Sequence, residues 1–137
     1  MKKILTAAFC AAMASPALAQ GWPTGYEGVM LQGFYWDSYS DSQWKNLEKQ
    51  APELGSYFSL IWVPQSGKCL EEHNVMGYTP YYYFDQNSSF GSEAELRSMI
   101  GAMRQNGVGV LADVVVNHHN TSGWFSFPKE EYRGTTY

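Results

Sequence analysis

The segment DVVVNHH, residues 113–119, contains the side chains with the clearest potential for chemistry. The amide oxygen of Asn117 is a suitable ligand for a hard cation such as calcium, but calcium takes about 6–8 oxygens. Adjacent histidines in an extended segment point to opposite sides, so His118 and His119 are not expected to share one metal ion. On spacing alone, a polar strand end with a hydrogen-bonded His118 and the edge of a functional site both remain open.

Carboxylates are the second group to consider, because paired carboxylates serve as acid, base or nucleophile in several reactions; in glycoside cleavage, for example, the two lie about 5–10 Å apart. Asp113 stands inside an apolar run, where an unpaired carboxylate is costly, so we predict that it is hydrogen-bonded and structural. Glu71 and Glu72 lie in a predicted loop and are expected to be solvated. No catalytic pair emerges from the residues alone, and neither a Gly-rich phosphate loop nor a G-x-S-x-G sequence is present.

Three short apolar runs, at residues 28–36, 57–64 and 108–116, predict β-strands that would position these residues. Helical segments separate the runs, and this alternation favours a parallel α/β sheet with strands buried on both faces. Ligands gather at the carboxyl ends of such strands. Three strands leave two open edges, so we expect a portion of a larger α/β domain. A long irregular stretch is predicted at residues 65–91.

The first predicted helix has Asp41 or Ser42 as its N-cap and ends or kinks near Pro52. Its apolar positions have helical spacing: Trp44, Leu47 and Ala51. The second begins with a capping box formed by Ser92 and Glu95 and stops at Gly107 in the left-handed conformation. Its predicted apolar face comprises Leu96, Met99, Ile100 and Met103.

Residues 1–19 have the layout of a secretory signal peptide, with two lysines, an apolar stretch and cleavage near Ala19-Gln20. A secreted or periplasmic location is therefore predicted, and the apolar stretch is too short to span a bilayer. The net charge of −4, without a basic run, argues against nucleic acid and membrane surfaces as partners. Cys69 is the only cysteine after the predicted signal, so we assign it no chemistry.

Four segments together resemble a known family: GVMLQGFYWD, APELGSYFSLIWVPQSG, MGYTPYYYFD and NGVGVLADVVVNHH. In this order they resemble the N-terminal part of an α-amylase of the retaining (β/α)8-barrel glycoside hydrolase family. The resemblance implies an α/β fold in which residues 20–117 form the first three strands and two helices of an incomplete TIM barrel. Residues 118–137 would begin the excursion called domain B.

The resemblance also implies residue roles. Tyr78 matches the aromatic residue that stacks under the sugar beside the scissile bond, and His118 matches the histidine that hydrogen-bonds that sugar. Asn117 matches a calcium ligand, so calcium is the expected cofactor, and Asp113 matches a structural supporter. The family's nucleophile and acid/base follow later strands of the barrel, so no catalytic carboxylate is expected in this chain.

For three other positions the resemblance implies a weaker role or none. Gln32 and Trp36, at the end of the first strand, are expected to help shape the site. His119 stands at a variable position and is left unassigned.

These implications predict an exported, calcium-dependent α-amylase that hydrolyses α-1,4-glucosidic bonds in starch or maltooligosaccharides with retention of configuration. The full enzyme is expected to be monomeric, and the 137-residue chain alone is expected to be inactive. Three alternatives stay open at this point. The first is a non-catalytic glucan-binding or interaction protein, and the second is a transglycosylase or α-1,6-specific hydrolase of the same family. The third is a small doubly wound α/β protein with a histidine-based metal site.

Overall fold

A computed structural model describes residues 26–120 and the backbone of residues 131–132 and 135–136. The predicted signal peptide at residues 1–19 lies outside the described residues, as does most of the predicted start of domain B. The proposed domain boundaries therefore stay predictions. Neither helix within residues 26–120 is long and apolar enough to cross a lipid bilayer.

The elements follow one another in the predicted order, with two short antiparallel ribbons added. They are β1 Met30–Gln32, α1 Trp44–Leu54, β2 Leu60–Val63, β3 Lys68–Cys69, β4 Pro80–Tyr82, α2 Glu93–Gln105, β5 Gly109–Ala112, β6 Glu131–Tyr132 and β7 Thr135–Thr136.

The strands β1, β2 and β5 form one parallel sheet in that order. Met30 is in register with Leu60, and Leu60 with Gly109. The α/β class with parallel strands and two helices is thus confirmed. Each strand is shorter than the apolar run that predicted it. The hydrogen bonds between strands end where the chain leaves the sheet, whereas the apolar run continues beyond that point. Asp113 consequently lies just after β5 and not inside it, although its N–H still donates to the Val63 carbonyl, 3.2 Å.

Both helices cover the same face of the sheet, as expected when right-handed crossovers advance through a sheet in one direction. The buried core between helices and sheet contains Trp44, Leu47 and Ala51 of α1, Ile61 and Val63 of β2, and Leu96, Met99 and Met103 of α2. On the other face, Met30 is exposed and Leu60 and Leu111 are half-buried. The prediction that the strands are buried on both faces is wrong for the described residues, since no helix within them covers this second face.

The start of α1 differs from the prediction. Its N-cap is Gln43, which makes no side-chain capping bond, and neither Asp41 nor Ser42 caps the helix. The Ser42 hydroxyl is buried and donates to the Gly33 carbonyl, 3.1 Å. The hydroxyl that the sequence pattern predicted as the helix cap is therefore used in a tertiary hydrogen bond. The predicted end of the helix near Pro52 agrees with the structure, since α1 ends two residues later.

The capping box of α2 is confirmed in both directions. The Glu95 N–H donates to Ser92 Oγ, 3.3 Å, and the Ser92 N–H donates to Glu95 Oε2, 3.0 Å. Gly107 has φ +77°, the predicted left-handed stop. Ile100 was wrongly placed on the apolar face, because it is 39% exposed at the edge of the helix.

The stretch from 65 to 91 is less irregular than predicted. Strands β3 and β4 pair in an antiparallel ribbon with a register shift between Lys68 and Cys69. A second antiparallel bridge joins Ser88 to Gly91 just before α2. The ribbon gives the loop after β2 a backbone framework of its own, and this framework carries Tyr78.

Candidate functional site

Tyr78 is the residue at which the three strand ends meet. It belongs to the loop after β2, its hydroxyl reaches Asp113 after β5, and its ring lies against Trp36 after β1. Its carbonyl oxygen is bonded to His118, farther along the segment that follows β5. Parallel strands end at one edge of their sheet, which is why residues up to 82 positions apart in sequence converge here.

The bond between Tyr78 and Asp113 satisfies the carboxylate that sequence reasoning expected to need a partner. The Tyr78 hydroxyl donates to Asp113 Oδ2 at 3.0 Å. Burial of the phenol, followed by this bond and the charge of Asp113, raises the pKa of Tyr78 to about 12. The phenol is protonated and donates a hydrogen bond at neutral pH, and the raised pKa extends this form to a higher pH. Asp113 is half-buried, so it contacts solvent as well as the phenol.

Trp36 covers part of one face of the Tyr78 ring. The ring centroids are 6.1 Å apart and the planes differ by 11°, a stacked arrangement. Trp36 is 80% exposed, so a ligand could displace it with little loss of buried surface. Both rings line an open cleft of about 330 Å³ whose walls also include Tyr39, Met76 and Thr79. Flat aromatic surfaces beside polar groups suit the apolar faces and hydroxyls of a sugar.

The hydrogen bonds of His118 identify its tautomer. The carbonyl oxygen of Tyr78, 2.8 Å from Nε2, only accepts hydrogen bonds, so Nε2 carries a proton. In the neutral ring Nδ1 is then an acceptor, and it lies 2.9 Å from Nδ2 of Asn117, a donor. Both ring nitrogens are thus occupied in the structure. A sugar hydroxyl would have to replace one of these partners to bind His118 through a ring nitrogen.

Asn117 is exposed, and its amide nitrogen faces His118, which leaves the amide oxygen for a cation. One oxygen is far short of the about 6–8 that calcium requires. Within residues 26–120, no group of three or more histidine, cysteine, aspartate and glutamate side chains is placed to hold a metal ion. Asn117 therefore fits a contributing position, but the described residues do not form a calcium site by themselves.

The remaining candidates make none of the hydrogen bonds or ring contacts of Tyr78, although Glu71 lines the same cleft. Gln32 is exposed on β1, in register with Trp62, and takes no part in the contacts made by Tyr78. The Glu71 carboxylate accepts a hydrogen bond from the Thr79 hydroxyl at the surface. The His119 ring lies 4.9 Å from that of Tyr83, turned by 34°.

Sequence reasoning missed two participants. The Tyr83 hydroxyl donates to the His118 carbonyl at 2.8 Å, which ties the end of the β3–β4 ribbon to the segment after β5. The run Tyr81–Tyr83 is rich in β-forming residues, a signal that could have revealed the strand β4 in the stretch predicted to be irregular. The other participant is Gln65, which is buried and donates to the carbonyl of Gly77, the residue before Tyr78. No sequence signal marks Gln65.

Comparison with known proteins places this geometry in context, although no model of a protein family matches the chain. The chain is 36% identical to a glucan 1,4-alpha-maltotetraohydrolase from Roseateles saccharophilus, over 88% of the chain and 25% of that protein. It is 35% identical to a probable alpha-amylase 2 from Arabidopsis thaliana, over 66% of the chain and 21% of that protein.

The fold has a counterpart among solved structures. Alpha-amylase I from Eisenia fetida superposes with a TM-score of 0.58 at 22% identity, over 70% of the chain and 19% of that protein. The chain thus spans between 21% and 25% of the length of the two relatives above. Similarity to two sequences and agreement of fold lead to one assignment: the chain is a segment that belongs to the α-amylase family.

Proposed function

We propose that this segment supplies the N-terminal part of the catalytic barrel of an α-amylase, a glycoside hydrolase that cleaves α-1,4-glucosidic bonds in starch and maltooligosaccharides. The activity is proposed for a gene product that carries the rest of the family's length. In this proposal β1, β2 and β5 are the first three barrel strands, and domain B begins after Asn117. The relatives named for amylase and maltotetraohydrolase activity support the reaction class.

The observation that carries the proposal is the convergence of three strand ends on Tyr78: Trp36 stacks on its ring beside an open cleft, and His118 bonds its carbonyl oxygen. Tyr78 would support a sugar ring from below, on a platform kept in place by the bond from its hydroxyl to Asp113. Trp36 would either extend that platform or move aside. His118 would donate to or accept from a sugar hydroxyl after exchanging one of its two present partners, and the neighbouring Asn117 amide is the more exposed of the two.

Bond cleavage itself is proposed to depend on residues other than those described above. Retention of configuration needs a nucleophilic carboxylate and an acid/base carboxylate about 5–5.5 Å apart. None of the residues described above is proposed for either role, so the 137-residue chain by itself is proposed to be inactive. Trp36, Tyr78 and His118 bind and orient the sugar, and they lower the entropy cost of reaching the reactive geometry.

Calcium binding and export belong to the same proposal. The Asn117 amide oxygen would supply one calcium ligand, with the others coming from outside residues 26–120. A bound calcium ion would hold the segment after β5 against those other ligands and so stiffen one wall of the cleft. Residues 1–19 would direct the chain out of the cytoplasm before cleavage near Ala19-Gln20.

The test is hydrolysis of maltooligosaccharides and starch by the purified full-length gene product, with the anomer of the released sugar followed by proton NMR. We expect hydrolysis with retention, and a loss of kcat/KM of at least about 10-fold in the Tyr78→Ala variant. The variant Tyr57→Ala is the matched control, because Tyr57 is an exposed tyrosine at the opposite ends of the strands. Addition of a calcium chelator should lower the activity and the melting temperature together.

The same measurements separate the alternatives. Maltooligosaccharide binding without hydrolysis would support a glucan-binding protein. Cleavage restricted to α-1,6 bonds, or transfer to another sugar, would support a different enzyme of the family. Hydrolytic activity of the purified 137-residue chain would refute the claim that the segment is inactive alone.

A further inference from the structure

Gln65 is a buried amide whose polar groups are all bonded to the backbone of the loop after β2. Its side chain is 5% exposed. Nε2 donates to the Gly77 carbonyl at 2.9 Å and to the Gly67 carbonyl at 3.2 Å, and Oε1 accepts from the Gly67 N–H. Two donors and one acceptor are therefore satisfied by two points of one loop, ten residues apart in sequence.

The two glycines allow this close packing. A Cβ on Gly67 would lie 3.0 Å from Gln65 Oε1, and a Cβ on Gly77 would lie 3.1 Å from the Gln65 carbonyl oxygen. Gly77 also has φ +88°, a conformation that favours glycine. The loop therefore folds directly onto Gln65 with no side chain in between.

The bond to the Gly77 carbonyl matters because that carbonyl belongs to the peptide group joining Gly77 to Tyr78. Tyr78 is consequently held at three points: Gln65 bonds the peptide before it, His118 bonds its own carbonyl, and Asp113 bonds its hydroxyl. Gln65 lies two residues after Val63, the last residue of β2, so this contact connects Tyr78 to the sheet.

We infer that Gln65 is a positioning residue for Tyr78, setting the place and tilt of the ring on which the sugar would stack. The inference rests on the proposed function insofar as Tyr78 binds substrate. An amide is required there, because a carboxylate offers no donor to the Gly77 carbonyl, and a methionine of similar length offers no donor and only a weak sulfur acceptor.

The experiment compares Gln65→Met with Gln43→Met in the full-length gene product. Gln43 is a matched control, since its Nε2 also bonds two backbone carbonyls, those of Tyr39 and Ser89, both at 2.7 Å, without contacting Tyr78. Kinetics are measured on a maltooligosaccharide well below the melting temperature of each variant. We expect Gln65→Met to lower kcat/KM by at least about 10-fold and Gln43→Met by less than about 2-fold.

A double-mutant cycle distinguishes positioning from general loss of structure. If Gln65 acts through Tyr78, Gln65→Met should have little further effect in a Tyr78→Ala background. An equal loss in both backgrounds, or no loss in the wild-type background, would overturn the inference. Gln65→Glu serves if Gln65→Met does not fold, because it keeps the acceptor for Gly67 and loses only the donors.

Deuterium exchange of the backbone over residues 76–80 gives a readout independent of activity. Faster exchange in Gln65→Met than in Gln43→Met supports the positioning role even if the wild-type protein hydrolyses no glucan, an outcome that would refute the proposed function alone. Unchanged exchange in Gln65→Met would overturn the role of Gln65 whatever the activity.

Discussion

Substitution of Gly77 by alanine should lower the activity even at temperatures where the variant is fully folded. At φ +88° an alanine costs about 1–2 kcal/mol of stability. Its Cβ would also lie 3.1 Å from the Gln65 carbonyl oxygen and 3.4 Å from Cys69 Sγ, so the backbone must shift by a few tenths of an ångström. The next residue is Tyr78, and it would move with that backbone.

The size of the expected effect follows from this shift. A displacement of about 1 Å at a binding residue can cost on the order of 100-fold in rate, so a smaller shift of the Tyr78 ring should cost about 10-fold in kcat/KM. That factor corresponds to about 1.4 kcal/mol of lost transition-state stabilisation. The loss should be present on maltooligosaccharides at temperatures where the variant is fully folded.

Gly107→Ala is the control for the stability lost when an alanine adopts a positive φ. Gly107 has φ +77°, similar to Gly77, but a Cβ there would meet nothing within 4 Å. Both variants should therefore lose stability through backbone strain, with melting temperatures of the full-length gene product lowered by a few degrees. Only Gly77→Ala should lose activity. If Gly77→Ala keeps kcat/KM within about 2-fold of wild type, or if Gly107→Ala loses as much, the reasoning is wrong.

Three further outcomes are expected. The pKa of Tyr78 is raised to about 12, above the value near 10 of an unfolded tyrosine, so its contribution to stability is complete below pH 10 and is lost as the pH rises through 12. Between these pH values the melting temperature of the wild type should therefore fall more steeply with rising pH than that of Tyr78→Phe. Parallel plots of melting temperature against pH for the two proteins would contradict this. Ser92→Ala removes the hydroxyl that accepts from the Glu95 N–H and should lower the free energy of unfolding by about 1 kcal/mol, measured as a shift in the urea midpoint. The Cys69 thiol is buried, and burial raises its pKa to about 11. An aromatic disulfide reagent at pH 8 should therefore label Cys69 only after denaturation. Rapid labelling of Cys69 in the folded protein would refute the buried position.

Local interactions made several elements predictable from the sequence. The limits of α2 depend on a capping box between residues three positions apart and on a glycine at the opposite end, and both are confirmed. The buried positions Trp44, Leu47 and Ala51 follow from helical spacing alone. The order of strands and helices likewise predicted a parallel α/β sheet, since burying apolar strands that alternate with amphipathic helices leaves few other arrangements.

Tertiary contacts decided the features that local pattern assigned wrongly. Ser42 has the right residue type for an N-cap, but its hydroxyl is bonded to the Gly33 carbonyl across the fold. Strand lengths were overestimated because an apolar run does not reveal where its pairing partner turns away. Burial of Ile100 was predicted from helical spacing, but the neighbouring elements do not reach that side of α2.

The site depends on both levels. Residue types alone, read with the family resemblance, selected Tyr78, Asp113, Asn117 and His118 as candidates. Only the folded chain showed that the Tyr78 hydroxyl bonds Asp113, that its carbonyl accepts from His118, and that the Gly77 peptide before it is held by Gln65. These contacts join residues 12 to 40 positions apart, and no local interaction specifies them. They arise because parallel strands bring their carboxyl ends to one edge, where loops with little regular structure must satisfy their polar groups with one another.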